Sequence, residues 1–490
     1  MKSNMKYIRW AVFGIVSLAA VLVSLYNARH REAVSNDERN WTGVSIASYE
    51  MYFKGHMRPN VKLDSWFYTY AVENGIDTAA LTPGQRQWYD FSLWTFGWKA
   101  PNLGKYIMGG YVEAASNLEL DKNGYYEIGQ ADRQEDTKIY YSRVPEELIY
   151  LARTPNAWMN GLGIMLVFLT GWLFLNFWSG FFASLYLLFN SMYLHVNVSA
   201  GLDSSSIFFW VLAVFFLAAN LRSVFDGNKL WKTLLYALLT GIAFGCAVSS
   251  KLNTAMFGYV CAIVFPLSAL ALVLDRKKDK KDVPFLKSAF GSRLTALVVS
   301  GLLIGITGPL LFVKLNPQVQ GETAKKIKVV RLSVDEFFKR RANSQISKNR
   351  QARKTLTEVT FKKPDKAFSL VARRNFVVQD PEKYYGTFGS LLNFKGNILD
   401  GLFMAVGLLA MLWAGFVKFR EKRRVNGEWI LLVSFFVMLY GMVNFIWTDF
   451  VRYHMAIYPG LALAVGYGMY TLGDLVIKRI NKNKAGKAAA

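Results

Sequence analysis

Blocks of about twenty consecutive apolar residues recur along this chain, and that is the length a helix needs to cross ~30 Å of hydrocarbon. In such a solvent every backbone N–H and C=O must be satisfied within the segment or a closed barrel, so uninterrupted blocks read as helices. They lie at 7–26, 157–178, 180–200, 204–222, 233–250, 254–274, 293–315, 397–417, 428–447 and 455–475. The sequence therefore predicts an all-α polytopic membrane protein with about ten transmembrane helices. Composition agrees: 53% of the 490 residues are hydrophobic and 19% charged, against about 25% charged in an ordinary soluble domain. The formal charge of +24 comes from Lys and Arg clustered beside the apolar blocks. That placement points to membrane lipids and topology signals rather than to nucleic acid. Both cysteines, Cys246 and Cys261, fall inside apolar blocks, which leaves no disulfide framework and no CxxC metal site. The first block follows Lys2, Lys6 and Arg9, as in a secretory signal, but Tyr26-Asn27-Ala28-Arg29-His30 offers no small-x-small cleavage site. It is expected to stay as a first span.

The short connections orient the bundle. Arg276 to Lys281, the group Lys418, Arg420, Lys422, Arg423 and Arg424, and the tail with Lys478, Arg479, Lys482, Lys484 and Lys487 all share one side if the N-terminus lies inside. The positive-inside rule makes that side cytoplasmic. The expected organisation is an N-terminal transmembrane helix (1–26), a first extracytoplasmic loop (27–156), a transmembrane bundle (157–315), a basic extracytoplasmic loop (316–396), C-terminal transmembrane helices (397–477) and a basic cytoplasmic tail (478–490). Both loops are too long for simple connectors. The first, with Trp41, Trp66, Trp88, Trp94 and Trp98, predicts short amphipathic helices lying at the interface. Tyr106–Ala115 resembles a partial or re-entrant span, but Gly109, Gly110 and Glu113 keep it out of the count. The second loop's many cations form either a solvated basic surface or a docking face for phosphates or an acidic acceptor.

Four charged features meet on the extracytoplasmic side of this topology. Asn36-Asp37-Glu38-Arg39 follows span one; adjacent acids supply a general base or bind a cation, or simply face solvent. Gly201-Leu202-Asp203-Ser204 opens span four, where an Asp also serves as a helix cap. Ser249-Ser250-Lys251-Leu252-Asn253 joins spans five and six with almost no loop. Its lysine either snorkels or holds a phosphate as a point charge. Thr448-Asp449-Phe450-Val451-Arg452-Tyr453-His454 precedes the last span; Arg452 and His454 suit phosphate, and Asp449 is also a partner for Arg452. Acids and cations at a bilayer surface suit chemistry on a lipid-linked phosphate: a base activates a hydroxyl and cations stabilise the departing phosphate.

At these residues the chain resembles the GT-C glycosyltransferases, in the branch of the protein O-mannosyltransferases and aminoarabinose transferases. The likeness rests on the acidic pair Asp37-Glu38, the segment Lys99-Ala100-Pro101-Asn102-Leu103-Gly104-Lys105-Tyr106, and Gly201-Leu202-Asp203. It continues with the turn Ser249-Ser250-Lys251-Leu252-Asn253 after Gly241-Ile242-Ala243-Phe244-Gly245, and with Arg452-Tyr453 before Pro459. The family's Pro-Pro core is Pro101-Asn102 here, and Trp98 stands where an acid or His often precedes it. The resemblance implies a GT-C-like helical bundle and an inverting transfer of sugar from a polyprenyl-phosphate donor to an acceptor hydroxyl on protein, lipid or glycan. It implies Asp37 as general base with Glu38 beside it. Lys99, Lys105, Lys251 and Arg452, with His454 nearby, would serve the donor phosphate, and Asp203 would position donor sugar or acceptor. It implies no metal and no other cofactor, although a divalent cation binds the acids in the oligosaccharyl-transferring branch. The compact form suits the inner membrane of a prokaryote, with the site facing outward.

Two other classes compete. A transporter or flippase of a lipid-linked or polar substrate places charges near the bilayer midplane and shows inverted repeats. The interiors of these blocks are almost free of Asp, Glu, Lys and Arg. A non-catalytic subunit of a glycosylation complex would keep the acids only as helix caps.

Overall fold

The computed structural model describes residues 2–30, 36–53, 101–116, 132–133, 140–141, 146–276, 288–316, 319, 398–445 and 455–489. The helices are α1 (Lys2–His30), α2 (Asn36–Phe53), α3 (Leu103–Ala115), α4 (Glu146–Phe174), α5 (Phe177–Leu188), α6 (Ser191–Val198), α7 (Asp203–Asp226), α8 (Leu230–Ser250), α9 (Phe257–Asp275), α10 (Ala289–Leu315), α11 (Ile398–Lys422), α12 (Gly427–Phe445) and α13 (Tyr458–Ala489). Two antiparallel strands, Asp132–Arg133 and Tyr140–Tyr141, form the β structure among the described residues.

Eight helices among these residues are long and apolar enough to cross a membrane, and Phe177–Leu188 and Gly427–Gly441 are shorter apolar helices. The chain is thus a multi-pass, helical membrane protein. The block at 180–200 departs from a single span. It is two helices of 12 and 8 residues, and the longer rises only about 18 Å. The break is chemical. Asn190 Oδ1 accepts the Tyr193 amide at 2.8 Å, and Asn176 Oδ1 does the same for Ser179 at 2.9 Å. Each asparagine starts its own helix instead of continuing the previous one.

α4 departs in the other direction. The apolar block begins at 157, yet the helix begins at Glu146 and runs through Pro155. Glu146 and Glu147 occupy its first turn, where negative charge complements the helix dipole. This early start carries Arg153 into the bundle. The Tyr106–Ala115 stretch is likewise helix, but α3 has 13 residues, too few to span. It is buried against α2: a Cβ on Gly109 would overlap the Ser45 carbonyl oxygen, and one on Gly110 would approach the Tyr49 ring. These glycines let α2 and α3 close on each other over a small core of Ile46, Met108, Val112, Ile149, Ala152 and Leu202.

The main core lies among α4, α5, α7, α8, α9, α10, α12 and α13. Small residues bring its helices close, as packing in lipid requires. Gly171 of α4 faces Gly180 of α5. On α11 and α13, a Cβ at Gly407 would overlap the Ala464 carbonyl, and one at Gly468 the Phe403 carbonyl.

The bundle has two ends of different chemistry. At one, ion pairs join the helix connections: Arg424–Asp226 at 2.7 Å, Arg293–Asp275 at 3.6 Å, and Lys418–Glu428. The starts of α2, α3 and α7 and the ends of α8 and α10 gather at the other.

Replacing Gly407 with Val is expected to cost about 1–3 kcal/mol through overpacking. Thermal unfolding of the detergent-solubilised protein checks this: a clear fall in Tm is expected, and an unchanged Tm would show that α11 and α13 do not pack this closely.

Candidate functional site

The centre of the site is a buried ion pair. Arg153 donates from Nε to Glu38 Oε1 and from Nη2 to Glu38 Oε2, both at 2.8 Å. The residues are 0% and 2% exposed. The Ala200 amide donates to Glu38 Oε1 at 2.9 Å, Arg153 Nη1 reaches the Ala28 carbonyl at 3.3 Å, and the guanidinium lies over the Tyr150 ring. One pair therefore fastens the end of α1, the start of α2, the N-terminal part of α4 and the turn before α7. A bidentate, charge-assisted contact is the geometry that makes a buried pair tolerable. Glu38 is already committed to three donors, an arrangement suited to holding its neighbour rather than to accepting a proton. Asp37 precedes it in the first turn of α2.

Asn156, one turn along α4, extends this framework. Its Nδ2 donates to the carbonyls of Ser199 at 2.6 Å and Gly201 at 2.9 Å, and Ser204 Oγ donates to the Asn156 carbonyl at 2.7 Å. These contacts fix the 199–201 turn and hence the start of α7. Asp203 does not act as the cap there. The cap position is Leu202, without a side-chain bond, and the Asp203 carboxylate instead accepts a hydrogen bond and ion pair from Lys251 Nζ. Lys251 ends α8 in extended backbone, φ −157°. Both side chains keep some exposure, 16% for Asp203 and 17% for Lys251. The sequence offered a cap for one and snorkelling for the other; the structure joins them.

Lys105 lies one turn into α3 and is fully buried. Its Nζ donates to Asn102 Oδ1 at 2.6 Å, and burial lowers its pKa well below the usual lysine value. The start of α3 rests directly on the start of α7: a Cβ on Gly104 would come within 2.7 Å of Ser205 Oγ. Asn102 is tied in turn to Asn316 at the end of α10, and Asn316 to Ser249 at the end of α8.

Glu38, Lys105, Asp203 and Lys251 are therefore brought to one end of the bundle, as the topology required. The Asp37 side chain, Lys99, Arg452 and His454 lie outside the described residues. No group of three His, Cys, Asp or Glu able to hold a metal occurs among the described residues. Arg153, Asn156 and Asn316 were missed in the sequence. Arg153 had a signal, an arginine four residues ahead of an apolar block. Below the charged end, a small cleft is lined mainly by apolar groups including Trp210, Val214, Phe435, Met438 and Pro459, with Ser434 and Thr170 as its hydroxyls. Trp210 lies seven positions along α7 from Asp203, about 10 Å deeper.

Removing Arg153 alone strands a buried carboxylate, at a cost of about 3–5 kcal/mol. Arg153→Met should therefore unfold at a much lower temperature than the parent, whereas Arg153→Met combined with Glu38→Leu should recover most of the loss. Equal destabilisation in both proteins would contradict the ion pair.

The solved structures similar to this chain include the oligosaccharyltransferase AglB of Archaeoglobus fulgidus in complex with an inhibitory peptide and a dolichol-phosphate. It is 14% identical and covers 98% of this chain and 52% of its own, with a TM-score of 0.47. ArnT of Cupriavidus metallidurans bound to undecaprenyl phosphate is 15% identical and covers 97% of this chain and 64% of its own, with a TM-score of 0.43. The chain thus spans about half the length of the archaeal protein. No curated protein sequence matches it. Residues 136–308 match the model of the dolichyl-phosphate-mannose-protein mannosyltransferase family. That segment carries Arg153, Asp203 and Lys251, and the family it matches is the one that the sequence resembles.

Proposed function

We propose that this protein is a membrane glycosyltransferase that moves a sugar from a polyprenyl-phosphate donor to an acceptor hydroxyl. The observation that carries the reading is the convergence, above an apolar cleft, of an acidic helix start with Lys105, Asp203 and Lys251. An anionic headgroup on an isoprenoid tail needs this combination: cations at the membrane edge and an apolar groove beneath. The match over residues 136–308 supports the same chemistry. ArnT of Cupriavidus metallidurans, similar in outline, has been solved with undecaprenyl phosphate.

In this reading Asp37 accepts the proton of the acceptor hydroxyl as the acceptor oxygen bonds to the anomeric carbon. The bond from that carbon to the phosphate oxygen breaks on the opposite face, so the configuration inverts. The electron pair leaves with the polyprenyl phosphate. Lys251 and Lys105 stabilise that charge, with Lys99, Arg452 and His454 as further candidates. Asp203 holds Lys251 until the phosphate arrives and then positions donor sugar or acceptor. Glu38, clamped by Arg153, fixes the first turn of α2. The acceptor is a protein, lipid or glycan, and mannose is the sugar to test first, after the family matched over residues 136–308. The site faces outward from the inner membrane of a prokaryote, with the arginine-rich end in the cytoplasm.

Asp37→Asn should leave the protein folded and inserted while reducing transfer from a polyprenyl-phosphate mannose donor by about 10²–10⁴-fold. Wild-type rates in that variant would overturn the assignment of the base. We propose further that the reaction needs no metal. Transfer should then persist after EDTA treatment, and its loss with recovery on adding Mn²⁺ or Mg²⁺ would show that the acids hold a cation.

A further inference from the structure

Asn316 has no charge and touches no element of the reaction, yet three separate parts of the site meet on its side chain. It follows the last residue of α10 and is completely buried. Its Oδ1 accepts the Asn102 amide at 3.1 Å. Its Nδ2 donates to Ser249 Oγ at 3.2 Å and to the Phe312 carbonyl at 2.7 Å. Both amide hydrogens and the oxygen are thus engaged. Asn102 carries the oxygen that accepts from Lys105 Nζ, and Ser249 lies two positions before Lys251. One carboxamide therefore links the anchor of one lysine to the helix end that presents the other.

We infer that Asn316 is the positioning residue that fixes the spacing of Lys105 and Lys251, and so tunes the site for a phosphate monoester or diester on a lipid tail. The inference rests on the proposed reading that these lysines bind the donor phosphate. Its physical basis is the difficulty of replacing a carboxamide here. Aspartate keeps the acceptor for Asn102 but loses both donors. Leucine has a similar shape and loses all three bonds, leaving the Asn102 amide and Ser249 Oγ without this partner. Glutamine keeps the groups but is one methylene longer. Lys105 sits on a short helix and Lys251 in a helix-ending turn, so their separation depends on what ties α3, α8 and α10 together. Small displacements of binding groups have large effects on reactivity.

The test uses the full chain in lipid nanodiscs with undecaprenyl phosphate as probe, followed by titration and native mass spectrometry, and in parallel KM and kcat with a polyprenyl-phosphate mannose donor. Asn316→Leu should weaken undecaprenyl phosphate about tenfold or more and raise the donor KM by a similar factor, with a smaller change in kcat. Asn316→Gln should recover part of the affinity. Combined with Lys251→Gln, Asn316→Leu should add little further loss, because both act on the same contact. A merely structural residue would reduce the folded fraction, and with it kcat, at unchanged KM and affinity; that pattern overturns the inference, as does additivity with Lys251→Gln. Should Asn316→Leu fail to fold, Ser249→Ala removes one of the three contacts. A several-fold loss of affinity then supports the inference, and wild-type affinity overturns it. The underlying reading is tested by the wild type alone: failure to bind undecaprenyl phosphate rejects the lysine–phosphate reading before any variant is compared.

Discussion

The site end of the bundle is organised around the buried pair of Arg153 and Glu38. Burying two charges is costly unless each is met by good hydrogen bonds, and here the guanidinium and the carboxylate meet edge to edge with the Ala200 amide and the Ala28 carbonyl completing the set. The pair draws α1, α2, α4 and the 199–201 turn to one point. Asn156 then transmits this order to the start of α7, and α7 delivers Asp203 to Lys251. Charges separated by more than a hundred residues in the chain thus become neighbours through a few hydrogen bonds.

The same arrangement explains why the opposite end is so different. There the pairs Arg424–Asp226 and Arg293–Asp275 are partly exposed, and such contacts contribute little to stability. They suit short connections between spans, where excess cations set orientation. The site end keeps its charges buried or half-buried among asparagines and serines. That environment strengthens interactions with an incoming anion, because a lower effective dielectric leaves each charge less screened.

The long helices were legible in the sequence because hydrocarbon imposes a length and a composition on them, and the convergence of Asp203 and Lys251 followed from alternating their directions. What was hidden depended on side chains choosing between local and distant partners. Asn190 divides the 180–200 stretch that reads as one span, because it caps a new helix. The apolar block starts at 157, yet the helix begins eleven residues earlier, passes through Pro155 and takes Arg153 inside. Asn102 and Asn316 are ordinary residues until folding brings α3 and α10 together. The pairing of Asp203 with Lys251 was equally beyond a pattern reading, since each residue had a sufficient local role of its own.

In the proposed reading, the end of the bundle holding Lys105 and Lys251 receives a lipid-linked phosphate. The most direct measurement is a cryo-electron microscopy structure of the protein in nanodiscs containing undecaprenyl phosphate. The expected result is phosphate density within hydrogen-bonding distance of Lys251 Nζ, Asp203 turned away from that lysine, and the isoprenoid chain running into the cleft beside Trp210 and Phe435. Phosphate density at the arginine-rich end beside Arg424 and Arg293, with Asp203 and Lys251 still paired, would contradict it.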